Sequence, residues 1–384
     1  MPGSKQSNIY VSLFLCLFSW ITLKGQTTLI VEGLPENTPA KDGIYISGDF
    51  EGWTGGQDAY RLKQYNGQYA ITLYQSEETI HFKFTRGSWD SVEVDSDGKQ
   101  LDNRNLSVSK EKDTIRITIA KWANHGPKIS TASSNVHLLA EALDMSPLDK
   151  KRKVWIYLPE SYHTSAKNYP VMYMHDAQNL FDQALSYSGE WEVDETLDKL
   201  AKTTNLELII IGIDHGGTER IDEYSPWEIP NYPSKQQGDT YVQFIVKTLK
   251  PFVDKNYRTL HNREHTAIMG SSLGGLISYY AALEYPETFG KAGVFSPSFE
   301  VVKMSADFTR DHSNIGLSKI YFMAGDGESE LMVDGIFKLI QIMKNSGFPE
   351  KNINYTIVKG GEHNEKLWRE QFEPAIKWLF NSDI

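Results

Sequence analysis

The feature that most constrains the fold of this chain is a regular alternation of strand-like and helix-like segments across residues 136–384. Largely apolar runs such as "VMYMH" and "LELIIIGI" have the composition of strands that are buried on both faces. Between them lie segments with helical periodicity, such as "EWEVDETLDKLAKT" and "TYVQFIVKTLKPFVDKNY", the second with a kink expected near Pro251. The alternation predicts an α/β fold with a mostly parallel, doubly wound sheet, which binds ligands at the carboxyl ends of its strands.

A different pattern covers residues 26–122, where short segments of alternating hydrophobicity are separated by turn residues. Segments such as "TTLIVEGL", "QYAITLY" and "TIHFKFT" predict about seven strands, which is typical of a small, all-β, immunoglobulin-like sandwich. Residues 123–135 are polar and contain Gly and Pro, so we interpret them as a linker. The predicted organisation is a sandwich module at 26–122, this linker, and the α/β domain at 136–384.

Residues 1–25 have the composition of an export signal peptide. A basic residue, Lys5, precedes an apolar-biased stretch that is shorter than a bilayer-spanning helix, and Gly25 marks the expected cleavage point. The alternative is a retained membrane anchor. Cys16, the one cysteine of the chain, lies inside this segment, so the cleaved protein would contain no disulfide. We therefore expect a periplasmic or extracellular protein with no membrane-spanning segment after cleavage.

The charge balance restricts the partners of the protein. The formal net charge is −11 and the sequence pI is about 5.5. Nucleic acids and anionic membrane surfaces select basic patches, so neither is an expected partner. Aromatic residues make up 12% of the chain, which is typical both of proteins that stack on sugar rings and of β-rich domains. The oligomeric state stays open.

A candidate nucleophile lies in the segment "AIMGSSLGGL". An apolar strand precedes residues 270–274 and an apolar helix follows them, and the five residues fit the pattern G-x-S-x-G with Ser272 at the centre. In this motif a sharp strand-to-helix turn projects the central serine, and flanking glycines remove Cβ atoms that would clash. The pattern predicts Ser272 as nucleophile and Ser271 as a spacer, against the alternative of a glycine-rich turn without chemistry.

A serine needs a base, and the acid and the histidine follow the nucleophile in this fold. The turn in "AGDGESE" contains Asp326 and Glu328, and His363 follows the last predicted strand in "GGEHNEKLW". Both segments lie at the carboxyl ends of strands, on the face expected for Ser272. We predict a Ser-Glu-His triad with Glu328 as the acid, and Asp326 remains the alternative.

Two backbone N–H groups are needed to stabilise an oxyanion. One would belong to Leu273, the residue after the nucleophile. The other is expected in the loop "HDAQNLFD" after a predicted strand, at Ala177 or Gln178.

The remaining motifs do not indicate a metal ion or an organic cofactor. The segment "HNREH" has two histidines four residues apart but lacks the glutamate of the zinc motif. The segment "DSDG" lacks the spacing of a calcium-binding loop and is interpreted as a turn. Neither a P-loop nor a dinucleotide-binding fingerprint occurs, so no cofactor and no metal are predicted.

Taken together, these motifs resemble the esterase D-like family of α/β-hydrolases, which includes feruloyl and acetyl-xylan carbohydrate esterases and enterochelin esterases. The resemblance extends over residues 136–384 and includes "YPVMYMHDAQNLFD", "IIIGIDHGGTERIDEYSPW", "HTAIMGSSLGGLISYYAALEYPETFGKAGVFSPSF" and "GGEHNEKLW". It implies an α/β-hydrolase fold and a carboxylic ester hydrolase. The family more often has glycine where Ala177 stands, which leaves the second oxyanion donor open.

The resemblance also implies candidate binding residues. The segment "ERIDEYSPW" would lie on the catalytic face, where Arg220, Glu223 and Trp227, together with Trp191, could line the substrate pocket; the alternative is a structural role for each. The N-terminal region resembles starch- and glycogen-binding modules through "SGDFEGW" and "FKFTRGSWDSVEVD". Trp53 and Trp89 are the sugar-stacking candidates, with packing inside the sandwich as the alternative.

The sequence therefore predicts an exported serine esterase that cleaves acetyl or feruloyl groups from plant polysaccharide. One alternative is a siderophore esterase that cleaves a cyclic trilactone, although the acidic chain offers little positive charge to an anionic catecholate. The other is a carbohydrate-binding protein with an inactive hydrolase domain, against which the complete order of serine, acid and histidine argues.

Overall fold

The computed structural model describes residues 25–36, 38–39, 41–65, 67–75, 79–98, 101–107, 113–123, 130–186, 189–229, 234–299, 305–313 and 318–380. The predicted signal peptide, apart from Gly25, lies outside the described residues. The described residues pack into two compact units. The first extends to Ser88 and includes Arg104–Trp122, and the second comprises Trp89–Asn103 and the residues from Ala123 onward.

The N-terminal part of the chain is all-β, as predicted. Its strands are β1 Gly25–Gly33, β2 Tyr45–Gly48, β3 Lys63–Tyr65, β4 Gln68–Gln75, β5 Thr79–Thr85, β6 Glu93–Val94, β7 Arg104–Ser107, β8 Asp113–Thr118 and β9 Lys121–Trp122. One sheet of the first unit has the order β3-β4-β1-β8, with β1 antiparallel to β4 and parallel to β8, and another has the order β2-β5-β7. Leu29 and Leu73 from the first sheet and Phe82 from the second belong to one buried cluster, so the two sheets pack face to face as a sandwich.

The second unit is built on one eight-stranded sheet. Its strands are β10 Val136–Met145, β11 Lys150–Tyr157, β12 Val171–His175, β13 Ile209–Ile213, β14 Thr266–Ser271, β15 Lys291–Phe295, β16 Lys319–Gly325 and β17 Ile353–Val358. Their order is β10-β11-β13-β12-β14-β15-β16-β17, with β10, β11 and β13 antiparallel and all later pairs parallel. The sheet is therefore mostly parallel, and β14 lies between β12 and β15.

Helices cover both faces of this sheet, as a doubly wound fold requires. They are α1 Val193–Thr204, α2 Arg220–Tyr224, α3 Gly238–Phe244, α4 Lys250–Asn256, α5 Leu273–Glu284, α6 Ser305–His312, α7 Glu330–Asn345 and α8 Glu365–Phe380. Apolar residues of α1 and α8 pack in one cluster and those of α3, α5 and α7 in another, each with residues of the central strands. Within the described part of the chain, none of the helices combines the length and the apolar character needed to cross a bilayer.

The irregularity expected near Pro251 is a π-helical turn. Residues Ile245–Leu249 form this turn between α3 and α4, and Pro251 lies in the first turn of α4. Proline has no N–H to donate, and its ring clashes with the carbonyl group four residues earlier. The wider π turn relieves both problems without ending the helical segment.

The second half of the predicted linker is bound to the α/β domain. The Ser130 hydroxyl donates to Asp182 Oδ2 (2.8 Å), and Asn135 Nδ2 donates to Asp198 Oδ1 (2.7 Å). Small polar side chains in this segment fit against carboxylates of the domain, so residues 130–135 are an anchored strap. The segment Trp89–Asn103 also groups with the second unit, although its position in the sequence predicted a place within the sandwich.

Candidate active site

The predicted nucleophile lies on a strained turn between β14 and α5. Ser272 separates the last residue of β14 from the first residue of α5 and has φ 58° and ψ −123°. Non-glycine residues rarely adopt such a positive φ, and strain of this kind is concentrated at functional sites. The turn is also tight, because a Cβ added to Gly270 would lie 2.9 Å from His175 Cδ2 and 2.9 Å from the backbone of Gly274. The glycine pattern in the sequence therefore has a steric cause.

Glu328 lies in the turn after β16, and its carboxylate is fully engaged. The residue is 4% exposed. Oε1 accepts hydrogen bonds from Ser296 Oγ (2.8 Å) and from the Gly325 N–H (2.6 Å), while Oε2 lies 2.6 Å from His363 Nδ1. Three donors thus orient this side chain toward the imidazole.

Asp326, the alternative acid, points elsewhere. Its Oδ1 accepts a hydrogen bond from the Gly360 N–H (2.5 Å), and the residue is exposed. This contact joins the turns that follow β16 and β17. The arrangement favours Glu328 as the partner of the histidine and gives Asp326 a local structural role.

His363 occupies the loop between β17 and α8. With Nδ1 directed at Glu328, Nε2 is the ring nitrogen that would act as the predicted base. The ring contacts Trp368 edge-on, with centroids 5.1 Å apart, and the indole Nε1 of Trp368 donates to Ser296 Oγ (2.8 Å). Trp368 contacts His363 and Ser296 binds Glu328, so the hydrogen bond between Trp368 and Ser296 connects the surroundings of the two residues. The backbone carbonyl of His363 accepts a further hydrogen bond from Asn103 Nδ2 (3.3 Å).

The Ser272 hydroxyl has a neighbour that the sequence analysis missed. Ser272 Oγ lies 3.2 Å from Ser298 Oγ, and the Ser298 N–H donates to the Ser272 carbonyl (3.3 Å). Ser296 and Ser298 both follow β15, the strand beside the nucleophile strand. The signal in the sequence was the polar pair in "VFSPSF" directly after a buried strand, on the face where the site was expected.

The predicted oxyanion donors lie on two neighbouring elements. Leu273 begins α5, where the first N–H groups of a helix have no partner within the helix. Ala177 and Gln178 lie in a short 3₁₀ turn after β12, the strand beside β14. The Gln178 side chain binds the backbone of His215 through both of its polar atoms, which fixes the turn. The assignment of the donors stays a prediction.

The aromatic residues predicted for the pocket are packed in the core. Trp191 is 3% exposed and stacks on Phe295 with centroids 5.5 Å apart. Trp227 is also buried and contacts Tyr280 (5.7 Å) and Phe308 (5.2 Å) edge-on. Both tryptophans therefore have a structural role, which was the alternative to a place in the pocket. Large aromatic rings fill the spaces between the sheet and its helices.

The charged residues predicted for the pocket form ion pairs. Glu223 is 0% exposed, and its carboxylate accepts from Arg152 Nη2 (2.6 and 2.8 Å) and from Lys150 Nζ (3.0 Å). A substrate cannot reach Glu223, so its expected place in the pocket is wrong. Arg220 donates from Nε and Nη2 to the two carboxylate oxygens of Asp176 (2.8 and 2.9 Å). Burial raises the pKa of Asp176, but the Arg220 guanidinium offsets this and leaves the pKa below its ordinary value.

His175, the last residue of β12, is a buried neutral histidine. Its Nδ1 lies 2.8 Å from the hydroxyl of Tyr241, and burial lowers its pKa from 6.5 to about 4. The unfolded chain therefore takes up a proton as the pH falls below about 6.5, before the folded protein does. We expect the free energy of unfolding to be lower by about 2–3 kcal/mol at pH 4.5 than at pH 7.5 on account of this residue.

Urea unfolding of the wild type and of His175→Gln at both pH values measures this effect. Glutamine keeps a polar partner for Tyr241 but does not titrate in this range, so the loss of stability at pH 4.5 should be smaller in the variant by about 2–3 kcal/mol. An identical pH dependence in both proteins would show that His175 does not contribute.

The two sugar-stacking candidates are half-buried. Trp53 has φ 56° and follows a turn in which the Glu51 carboxylate accepts from the backbone N–H groups of Gly48 and Thr54 (both 3.0 Å). Trp89 begins a short 3₁₀ turn of the second unit. The tryptophan at the centre of the sandwich is Trp122, whose Nε1 donates to Thr38 Oγ1 (2.8 Å). Sugar stacking by Trp53 and Trp89 stays a prediction.

Comparison with known proteins identifies the family and the fold of the chain. The family described as "Putative esterase" matches residues 146–379. The "Uncharacterized protein YbbA" of Bacillus subtilis is 28% identical over 245 residues, covering 60% of this chain and 94% of that protein. The "Endo-1,4-beta-xylanase/feruloyl esterase" of Xylanibacter ruminicola is 23% identical over 229 residues, which are 59% of this chain and 29% of that protein.

Solved esterase structures share the architecture. The enterobactin esterase FES from Shigella flexneri, solved with enterobactin, aligns with a TM-score of 0.56 and 15% identity over 97% of this chain and 100% of that chain. A ferulic acid esterase aligns with a TM-score of 0.50 and 18% identity over 64% of this chain and 99% of that chain. These similarities confirm the predicted α/β-hydrolase fold. An "Alpha-amylase" of Niallia circulans is 35% identical over 91 residues, 23% of this chain and 7% of that protein, which supports the resemblance of the N-terminal module to carbohydrate-binding modules.

Proposed function

Because the chain belongs to the "Putative esterase" family and is a carboxylic ester hydrolase, we propose that it is an exported serine esterase acting on acylated plant polysaccharide. Its triad would be Ser272, Glu328 and His363. The observation that carries the proposal is the 2.6 Å contact between Glu328 Oε2 and His363 Nδ1. Both residues follow the carboxyl ends of strands of the sheet, as Ser272 does on its strained turn.

In the first half of the reaction, His363 Nε2 accepts the proton of the Ser272 hydroxyl while Oγ attacks the ester carbonyl carbon. The Glu328 carboxylate holds the imidazole in the required tautomer and stabilises its charged form. Negative charge develops on the carbonyl oxygen, where the Leu273 N–H and an N–H of the 177–178 turn would stabilise it. His363 then protonates the leaving alcohol, the C–O bond breaks, and an acyl-enzyme remains.

In the second half, His363 takes a proton from water, and the resulting hydroxide attacks the acyl carbon. The same oxyanion donors stabilise the second tetrahedral intermediate. Collapse of this intermediate breaks the bond to Ser272 Oγ, which recovers its proton from His363, and the carboxylic acid leaves. None of these steps requires a group beyond the side chains and backbone amides named here.

The substrate class is proposed from the relatives and from the attached module. Feruloyl esterase appears in the name of one relative, and the ferulic acid esterase shares the fold. The N-terminal sandwich resembles carbohydrate-binding modules, which would hold the enzyme on a polysaccharide. We propose acetyl or feruloyl esters on a plant polysaccharide as the substrates. Export, proposed from residues 1–25, would bring the enzyme to polymers that cannot enter the cell.

A small substrate panel tests the proposal. Methyl ferulate, acetylated xylan, p-nitrophenyl acetate and a catecholate trilactone are incubated with the full chain, and the released acid is measured. We expect a polysaccharide-type ester to be cleaved with a kcat/KM at least about tenfold above that of the trilactone, a difference of 1.4 kcal/mol in transition-state binding. Preference for the trilactone would identify a siderophore esterase. No cleavage and no labelling by a fluorophosphonate would indicate a binding protein without catalysis.

A further inference from the structure

Three carboxylates converge near the start of α1, in a region that the proposed reaction does not use. One carboxylate oxygen each from Glu190, Asp194 and Glu195 lies within 4.8 Å of the other two. The anchored strap contributes oxygen and nitrogen atoms to the same region. The Thr131 hydroxyl lies 3.0 Å from both carboxylate oxygens of Glu190, and the Ser133 N–H donates to Asp194 Oδ2 (2.7 Å).

Two of the carboxylate oxygens are buried without a partner outside the cluster among the described residues. Asp194 is 0% exposed, and within the described part of the chain its Oδ1 has no donor other than a proton shared with the Glu195 carboxyl group. Glu195 Oε2 is likewise buried without another donor among the residues that the structure describes. Leaving a charged oxygen buried and unsatisfied is costly, so such atoms indicate that a positive ligand or a proton is part of the site.

A counter-charge for these carboxylates is missing among the residues that the structure describes. Across the described residues, no lysine, arginine or histidine forms an ion pair with Glu190, Asp194 or Glu195. Arg369 donates instead to the Glu190 backbone carbonyl and to Glu192 Oε1 (both 3.1 Å). Three such carboxylates are stable side by side only if a cation or a proton neutralises their charge.

The geometry fits a hard divalent cation. Ca²⁺ binds oxygen ligands at about 2.3–2.6 Å, so two ligands on opposite sides of one ion can be at most about 5 Å apart. Three oxygens within 4.8 Å of each other satisfy this limit. We propose that Glu190, Asp194 and Glu195 bind one Ca²⁺ ion, with the Thr131 hydroxyl beside the site and water completing the coordination.

The ion would order the carboxylates to which the strap binds through Thr131 and Ser133. Glu190 precedes Trp191, which contacts both Phe295 and Trp368 (centroids 5.5 and 5.8 Å apart), and Trp368 in turn binds Ser296. Binding would therefore stabilise the layer of aromatic residues behind the predicted triad. The ion takes no part in ester cleavage, and the inference does not depend on the proposed function.

Calorimetry on the full chain tests the site. The protein is treated with EDTA, dialysed and titrated with CaCl₂, and thermal unfolding is recorded in EDTA and in excess CaCl₂. We expect one Ca²⁺ to bind and Tm to rise by about 5 °C when the ion is present at about 100 times its Kd. Glu195→Gln removes one ligand charge and should weaken binding at least about tenfold.

Glu192→Gln is the matched control, because Glu192 is adjacent in sequence but pairs with Arg369 outside the cluster. It should bind Ca²⁺ within about threefold of the wild type, and circular dichroism establishes that both variants are folded. Absence of binding heat and of any Tm shift with CaCl₂, MgCl₂ and MnCl₂ would overturn the proposal. So would a wild-type affinity in Glu195→Gln. If Glu195→Gln raised Tm in EDTA and CaCl₂ left the Tm of the wild type unchanged, the carboxylates would share a proton and would not bind Ca²⁺.

Discussion

Ser272→Ala is expected to lower kcat/KM at least about 10⁴-fold toward every ester that the wild type cleaves. The attacking oxygen is lost, while the turn and the helix N-terminus stay in place. Alanine, like serine, carries a Cβ atom, so the strained conformation at φ 58° costs the variant no more than the wild type. Initial rates on the best substrate of the panel measure the effect, and a fluorophosphonate should label the wild type but not the variant.

Ser271→Ala provides the matched control for this experiment. Ser271 is the neighbouring serine, ends β14 and is buried. Its removal should change kcat/KM by less than about tenfold, because it takes no part in the proposed reaction. A Ser272→Ala protein that retained activity within tenfold of the wild type, or a large loss in Ser271→Ala alone, would reverse the assignment of the nucleophile.

Glu328→Gln is expected to lower kcat by about 10³- to 10⁴-fold with little change in fold. The Glu328 carboxylate accepts from Ser296 Oγ, the Gly325 N–H and His363 Nδ1. An amide has one oxygen and one NH₂ group, so it can no longer accept on both sides. The NH₂ group would face either the Gly325 N–H or the imidazole, and in the second case His363 would adopt the wrong tautomer for accepting the Ser272 proton.

Asp326→Asn separates the two candidate acids. Asp326 accepts from the Gly360 N–H and is exposed, and asparagine can still accept through its amide oxygen. We expect kcat within about fivefold of the wild type for this variant. The pH dependence of kcat provides a second readout, because only the loss of the true partner should alter the titration of His363. A large loss in Asp326→Asn, with an active Glu328→Gln, would exchange their roles.

Ser272 and His363 are predicted from features that lie close together in the sequence. A glycine-flanked serine between a strand and a helix, followed by a histidine after the last strand, depends on features that lie close together along the chain. The acid was different, because Asp326 and Glu328 are two residues apart in one turn. The sequence favoured Glu328 but left Asp326 open, and in the structure the contacts with Ser296 and Gly360 distinguish the two.

Three of the residues predicted for the pocket are buried, and the sequence could not show this for a related reason. Trp191, Trp227 and Glu223 lie in segments that the sequence placed near the catalytic face, but a sequence pattern does not say toward which side a residue points. Trp191 packs between the sheet and α8, and Glu223 is enclosed by Arg152 and Lys150 from β11. Ser298 and Asn103 were missed because their partners are 26 and 260 residues away.

The sequence by itself determined the fold class, the all-β N-terminal region and the esterase family. These depend on hydrophobic periodicity, turn residues and a local motif, which act over a few residues and leave a readable pattern. The tertiary structure decided which carboxylate faces His363, which aromatic rings are core, and that three carboxylates meet beside the strap. Those outcomes depend on distances between segments far apart in the chain, which are set only when the sheet forms and its helices pack.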